Sequence, residues 1–419
     1  MRASIAVVLS LSTLASAAEP PAQSSAPPEL QSPPGAATPF WKREPLETPA
    51  PLRGVYDKPF LLGGDRQLHL GGYADFDYHG FEDGVLGVPR GFRSHRMNLF
   101  AYSDLNEAIR FASEIEFENE GVEGELEVKL EMAFLDWVIF EEFQIRGGAI
   151  LTPLGRINVN HDGPARELTD RPLVSTFVIP TTMSEPGIGV HGEIHPASSF
   201  SLRYETYLTN GFRLLDRDGE LAVPITELEQ LLREGRPSLG GDINKDLAST
   251  GRVSVAALRA MELGASWHVG TYDELSDNLL SILAGDVSAA YGPFAIEGEI
   301  AIADFERDAF ARTAGVPGQF WGWYLQASAS RTPRVLEGIW PQVFGRPGAS
   351  IGAVLRYDWV DLDGDRGEAI EPGVTFRPFA DTVFKASWRF SLERLGIQNV
   401  PGREGFDDDG FVFSLASYF

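Results

Sequence analysis

Between residues 153 and 186 the chain gathers Arg156, Asn158, Asn160, His161, Asp162, Arg166, Glu167, Asp170, Arg171, Thr181 and Thr182, a run of mixed charge and polar side chains. Guanidinium forks hold carboxylates and phosphates, and carboxylates hold cations. The set is therefore equipped to attract and orient charged solutes, although by itself it also reads as a solvated loop. Bond-breaking chemistry finds less support. A hydrolase would need a Ser aligned with a His and an acid or amide. His69, His79, His191 and His268 fall on polar faces by alternation, and none sits beside a Ser in a recognisable motif. The stretch "DLDGDRGE" (361–368) has the carboxylate spacing of a calcium loop, but its Gly is fourth rather than sixth. It reads as a solvated acidic external loop, as does "GFDDDG" (405–410). No catalytic residue, metal site or cofactor is expected.

Strands must position that run. In "RQLHLGGYADFDYH", Leu68, Leu70, Gly72, Ala74, Phe76 and Tyr78 share one face, and Gln67, His69, Tyr73, Asp75 and Asp77 share the other. In "ELEVKLEMAF", Leu126, Val128, Leu130, Met132 and Phe134 oppose Glu125, Glu127, Lys129 and Glu131. Period two with one apolar and one charged face is that of a strand between two media. A face this charged cannot meet a dry core, so it looks into water. The pattern slips near Asp136, where a bulge is expected.

Sixteen such segments run from residue 66 to the end, near 66–79, 93–103, 108–118, 125–140, 143–152, 187–195, 199–209, 251–257, 260–271, 279–291, 293–304, 319–331, 348–360, 369–377, 381–392 and 409–419. Short connections such as "FEEF", "HPAS" and "YGPF" alternate with long ones, as the periplasmic turns and external loops of outer-membrane barrels do. The stretch 332–348 is long for a turn and leaves room for a different strand count. Aromatic residues at strand ends, as in "FWGWY" and "YDW", suit interfacial girdles. The expectation is an all-β, transmembrane antiparallel barrel of about 16 strands, in the outer membrane of a Gram-negative cell.

The ends agree with export. Residues 1–18, "MRASIAVVLSLSTLASAA", have the basic, apolar and small-residue regions of a signal peptide. Residues 19–59 are Pro-rich and read as an extended periplasmic linker, leaving 60–419 for the barrel. The chain has no Cys, and its net charge of −25 argues against nucleic acid as a partner.

The stretches "LGGYADFDY", "RGGAILTPLGRINVNHD", "LTDRPLVSTFVIPTTMSEPGIGVHGEI", "RPFADTVFKASWRF" and the terminal "SYF" resemble the outer-membrane porins of the phosphate-selective O and P type and their broad set of relatives. The resemblance covers roughly residues 60–419. It implies a sixteen-stranded barrel, usually a homotrimer, whose third external loop folds inward to narrow the pore. It also implies that Phe419 resembles the terminal signal read by the barrel assembly machinery. On this reading Arg156, His161, Asp162, Arg166, Glu167, Asp170 and Arg171 line a constriction that sieves small hydrophilic solutes or ions. By alternation Arg96, Arg110, Lys129 and Arg146 face the lumen and could form a local basic track, but inward acids outnumber inward bases. The expectation is passive diffusion in contact with outer-membrane lipid. Two alternatives stand beside it, a phosphate- or anion-selective pore and a non-conducting barrel plugged by its loops and serving as adhesin or wall anchor.

Overall fold

The computed structural model describes residues 68–80, 90–106, 108–120, 125–197, 199–222, 229–237, 239–241, 247–257, 260–275, 278–344, 348–393, 395 and 409–419. The expected signal, the linker and residues 60–67 of the expected barrel domain lie outside the described residues. Sixteen strands follow one another: β1 (His69–His79), β2 (Gly91–Asp104), β3 (Ile109–Glu120), β4 (Glu125–Phe140), β5 (Phe143–Leu151), β6 (Ser184–Ala197), β7 (Phe200–Thr209), β8 (Ala248–Ala257), β9 (Met261–Thr271), β10 (Leu279–Tyr291), β11 (Phe294–Phe305), β12 (Gln319–Arg331), β13 (Ser350–Leu362), β14 (Asp365–Phe379), β15 (Thr382–Glu393) and β16 (Gly410–Tyr418). Each pairs antiparallel with its sequence neighbours, and β16 pairs with β1, so the sheet is a closed barrel without an edge. Closure satisfies every ladder position inside hydrocarbon, where water cannot.

The alternation sorts the two faces. Leu70, Phe76, Leu99, Leu130, Leu283, Leu325 and Leu355 are exposed outward, while Tyr73, Asp75, Asp77, Asn98, Glu114 and Glu116 are buried on the inner side. Of several register shifts in the barrel, two in β2 and β4 bear on the lumen near the site. Between β1 and β2 the register steps from Asp75↔Arg96 to Phe76↔Ser94, which makes His95 the extra residue. Between β3 and β4 it steps from Glu114↔Met132 to Ile115↔Leu130, which makes Glu131 the extra residue. The expected slip near Asp136 thus occurs five positions earlier. Met132 and Phe134, expected on the lipid face, are buried inward, and Leu135 and Trp137 face out instead. A bulge inserts one residue and reverses the alternation beyond it.

The connections hold one further correction. The expected acidic loop at 361–368 is strand almost throughout, because β13 and β14 meet in a two-residue turn at Asp363 and Gly364, with φ of 58° and 98°. Positive φ at both central positions is the hairpin-compatible type, for which Asp-Gly is suited. Among its described residues the long stretch 332–348 adds no strands. Its described part carries the short helices Arg334–Ile339 and Pro341–Phe344. Phe140, Phe200, Tyr291, Phe294 and Phe379 stand exposed beside the short turns, where an interfacial girdle belongs.

Candidate functional site

The third external connection, 152–183, folds into the barrel. It is a little shorter than the expected 153–186 because β6 begins at Ser184. The run contains helix α1 (Arg156–Val159), a 3₁₀ turn at Gly163–Ala165 and helix α2 (Leu173–Phe177). Asn158 ties its two feet together. The Asn158 amide donates to the carbonyls of Thr152 at 2.6 Å and Met183 at 3.0 Å, and its Oδ1 accepts from Met183 N at 2.8 Å.

One half of the loop is held by apolar burial. Leu173, Val174, Phe177, Val178 and Ile179 join Leu280, Ile282, Phe305, Phe320, Tyr324 and Val360 from the wall in one buried cluster. Burial of such side chains contributes on the order of 1.5–3 kcal/mol each, so this half is fastened to β10–β13. Glu299 on β11 caps the start of α1 by accepting from the backbone N–H groups of Arg156 and Ile157, and it also accepts from Ser175 Oγ. Gly155, at φ 72°, brings the chain close to Glu299. A Cβ there would lie 2.7 Å from the Glu299 carboxylate.

The other half is held by polar contacts with strands across the lumen. His161 Nε2 lies 3.0 Å from Glu131 of β4. Tyr418 of β16 donates to Asp162 at 3.0 Å, and Lys385 of β15 donates to the Gly163 carbonyl at 2.6 Å. Arg377 of β14 reaches the Pro164 carbonyl and Glu167, at 3.1 and 3.3 Å. Thr169 donates to Ser414 of β16 at 2.9 Å. His79 of β1 donates to Asp170 at 2.9 Å, and Arg356 of β13 donates to the Asp170 carbonyl at 2.8 Å. Burial would raise the Asp170 carboxyl, but the His79 charge and hydrogen bond, aided by Arg389 and Arg356, hold it well below the usual range.

The loop arginines face different surroundings. Arg156 lies 3.6 Å from Glu262 of β9 and 3.8 Å from Glu297 of β11. Arg166 and Arg171 turn back to their own loop, donating to the Thr169 carbonyl and to the Thr181 carbonyl, each at 2.6 Å. Burial and the nearby Arg96 and Arg166 pull the Arg171 guanidinium down to about 9. The charges of Arg96 and Arg166 thus act on Arg171. All three keep a buried Nε without a hydrogen-bond partner among the described residues.

Each wall base of the expected track meets an acid. Arg96 contacts Glu116 at 3.1 Å and Glu118 at 2.9 Å. Arg110 lies 3.7 Å from Asp104, and Lys129 bridges Glu127 at 2.7 Å and Glu118 at 3.3 Å. Arg146 pairs bidentately with Asp136, at 2.8 and 3.0 Å, and stacks over Phe134. The basic track is therefore a ladder of ion pairs. Sequence reasoning missed Asn98, His95 and the inward Met132 and Phe134, because it foresaw no bulge in β2 and set the one in β4 five positions too late. It also missed His79, Thr169 and Ser414 as loop anchors, since their partners are far apart in sequence. Phe419, half exposed, ends the last ladder by exchanging backbone hydrogen bonds with Gly72 at 3.0 and 3.1 Å.

No family model matches the chain. A curated relative described as an uncharacterized protein of Aquifex aeolicus is 31% identical over 223 residues, which are 51% of this chain and 47% of that relative. The chain thus spans about half of that relative's length. Among solved structures, OmpF of Salmonella typhi in complex with daunomycin aligns with a TM-score of 0.53 at 10% identity, covering 86% of this chain and 100% of that one. The anion-selective porin of Comamonas acidovorans aligns at 0.52 with 14% identity, and the outer-membrane channel DcaP of Acinetobacter baumannii at 0.52 with 9% identity. Each covers 85% of this chain and 100% of its own. At these identities the likeness is one of fold, a closed sixteen-strand barrel of porin type. An apolar outer wall on such a barrel belongs in the outer membrane.

Proposed function

We propose that the protein is a passive pore of the outer membrane, through which small hydrophilic solutes or ions cross beside an inward-folded third loop. The observation that carries this reading is the inner wall of ion pairs, such as Arg146 with Asp136 and Arg252 with Asp286 at 2.8 Å. So many charges facing inward are stabilised by water, and the lipid-facing wall offers none. Loop 3 brings Arg156, His161, Asp162, Arg166, Glu167, Asp170 and Arg171 into that space and acts as its constriction. The reading includes neither catalysis nor a cofactor. A homotrimer, insertion by the barrel assembly machinery through Phe419, and membership of the phosphate-selective porin family belong to the same proposal.

The mutual field of Arg96, Arg166 and Arg171, with their orphaned Nε donors, favours an anion-selective variant of the pore. The polar anchors of loop 3 on β1, β4, β13, β14, β15 and β16 favour a plugged barrel instead. Conductance of the purified protein in a planar bilayer separates these readings. Stepwise ohmic currents are expected, silence at high protein load sinks the pore, and reversal potential in a salt gradient reads the sign of selectivity.

A further inference from the structure

We propose that Glu114, Glu131, His161 and Asp162 form a site for a divalent transition-metal ion of the zinc class, which pins loop 3 to the β3–β4 wall. The inference is independent of whether the barrel conducts.

The first observation is geometric. Glu114, His161 and Asp162 are all buried, and each offers one ligand atom within 4.8 Å of the others. Ligands bound at about 2.0–2.2 Å from a tetrahedral ion lie about 3.3–3.6 Å apart, so closure draws the widest pair together by at most about 1.5 Å. Glu131 adds a fourth donor, with Oε2 at 3.0 Å from His161 Nε2. It reaches the lumen as the bulge residue of β4.

The second observation is the state of the imidazole. His161 Nδ1 lies 2.9 Å from the Asn158 carbonyl, which can only accept, so Nδ1 carries a proton. In the neutral ring Nε2 then presents its lone pair to Glu131, and Asp162 Oδ1 stands 3.9 Å away. Two acceptors facing each other at 3.0 Å require a proton or a cation between them. A ring whose other nitrogen donates to a backbone carbonyl is in the orientation adopted by metal-bound histidines.

The third observation is an unused acceptor. Glu131 Oε1 is buried and has no hydrogen-bond partner among the described residues. Hydrogen bonds from Asn98 and Tyr418 orient the carboxylates around the site. Asn98 Nδ2 donates to Glu114 at 2.7 Å and to Glu131 Oε2 at 3.1 Å, and Tyr418 donates to Asp162 Oδ2 at 3.0 Å, leaving Oδ1 toward His161. One imidazole nitrogen with three carboxylates suits Zn²⁺ or Mn²⁺, whereas Ca²⁺ asks for six to eight oxygens.

The test uses the folded full chain in detergent, stripped with EDTA and titrated with Zn²⁺ against a chromophoric chelator. One Zn²⁺ per chain is expected, with affinity reduced at least tenfold in His161→Ala and in Glu131→Gln and unchanged in His195→Ala, whose side chain is exposed. Imidazole scattering in the zinc X-ray absorption spectrum of the wild type provides a measurement that needs no variant. A folded wild type that takes up no stoichiometric Zn²⁺ would mean that His161 is an imidazolium in an ion pair, and would overturn the site. Uptake that neither variant weakens, or a spectrum without imidazole scattering, would overturn it as well.

Discussion

Gly72 and Phe419 exchange two backbone hydrogen bonds, N–H to carbonyl at 3.1 Å one way and 3.0 Å the other, and the Phe419 ring lies over the glycine. This exchange extends the β1–β16 closure beyond Tyr418. A Cβ on Gly72 would sit 2.8 Å from the Phe419 ring and 2.2 Å from the Asn98 carbonyl oxygen. The ring could move aside, but the backbone oxygen is part of β2 and could not.

Gly72→Val should therefore destabilise the closed barrel by about 1–3 kcal/mol, the usual cost of overpacking. Gly285→Ala is the control, because its Cβ would meet nothing nearer than 3.7 Å. Urea unfolding from lipid vesicles measures both. Equal midpoints would show that the seam tolerates what its geometry forbids. Deleting Phe419 removes the exchange altogether and should lower the amount of folded barrel more than Gly72→Val does.

The β4 bulge makes a prediction that unbroken alternation reverses. Lys129 and Leu130 precede the bulge, so Leu130→Arg should cost roughly 2–4 kcal/mol if it lies near the bilayer midplane, and Lys129→Leu much less. Beyond the bulge, Leu135 should contact lipid and Met132 should not. The chain has no cysteine, so single Cys substitutions carry a fluorophore cleanly. Brominated lipid should quench a label at 135 and spare one at 132. The opposite pattern would remove the bulge.

Asp170 latches loop 3 to β1, and its carboxyl is held well below the ordinary range mainly by His79 acting against burial. A depressed carboxyl contributes stability that is complete above its unfolded value of about 4 and is lost as pH falls through the lower folded value. The latch should thus stay closed from pH 8 down to about 5. Asp170→Asn should raise single-channel current noise at every pH in that window. A comparable rise in the wild type on acidification to pH 5 would show that another group governs the loop.

The strand positions and the outward apolar face were legible because a wall between lipid and water imposes period two on every strand. Even the count at 332–348 resolves, since the described part of that stretch carries short helices and adds no strands. Two things were not legible. The slip near Asp136 announced a bulge, but a bulge is an insertion relative to a partner strand, so its place at Glu131 is fixed only by the β3–β4 pairing. The anchors of loop 3 join residues far apart in sequence, as Thr169 with Ser414 or Gly163 with Lys385, and no spacing within one segment reports them. The loop charges themselves were visible, but their partners were not.

Those partners decide how selectivity should be probed. Arg156, Arg166 and Arg171 lie on the inward loop, where charges in a narrow and partly desolvated passage act on ions more strongly than charges on a wide wall. A fair comparison removes three bases away from the loop. Arg356 cannot serve, because it bridges Asp358 and Glu371 at 2.7 Å each and also holds the Asp170 carbonyl, so its loss would move the loop. Arg93, Lys129 and Arg203 pair with the wall acids Asp77, Glu118 and Glu193 and keep partly exposed side chains. Replacing Arg156, Arg166 and Arg171 together by Ala should shift the reversal potential toward cations by more than replacing Arg93, Lys129 and Arg203 does. Net charge changes equally in both, so position alone can separate them. Equal shifts would mean that loop 3 does not border the conducting path. A strongly anion-selective wild type whose current saturates with phosphate, and whose selectivity vanishes in the loop triple variant, would instead establish the anion pore built on Arg96, Arg166 and Arg171.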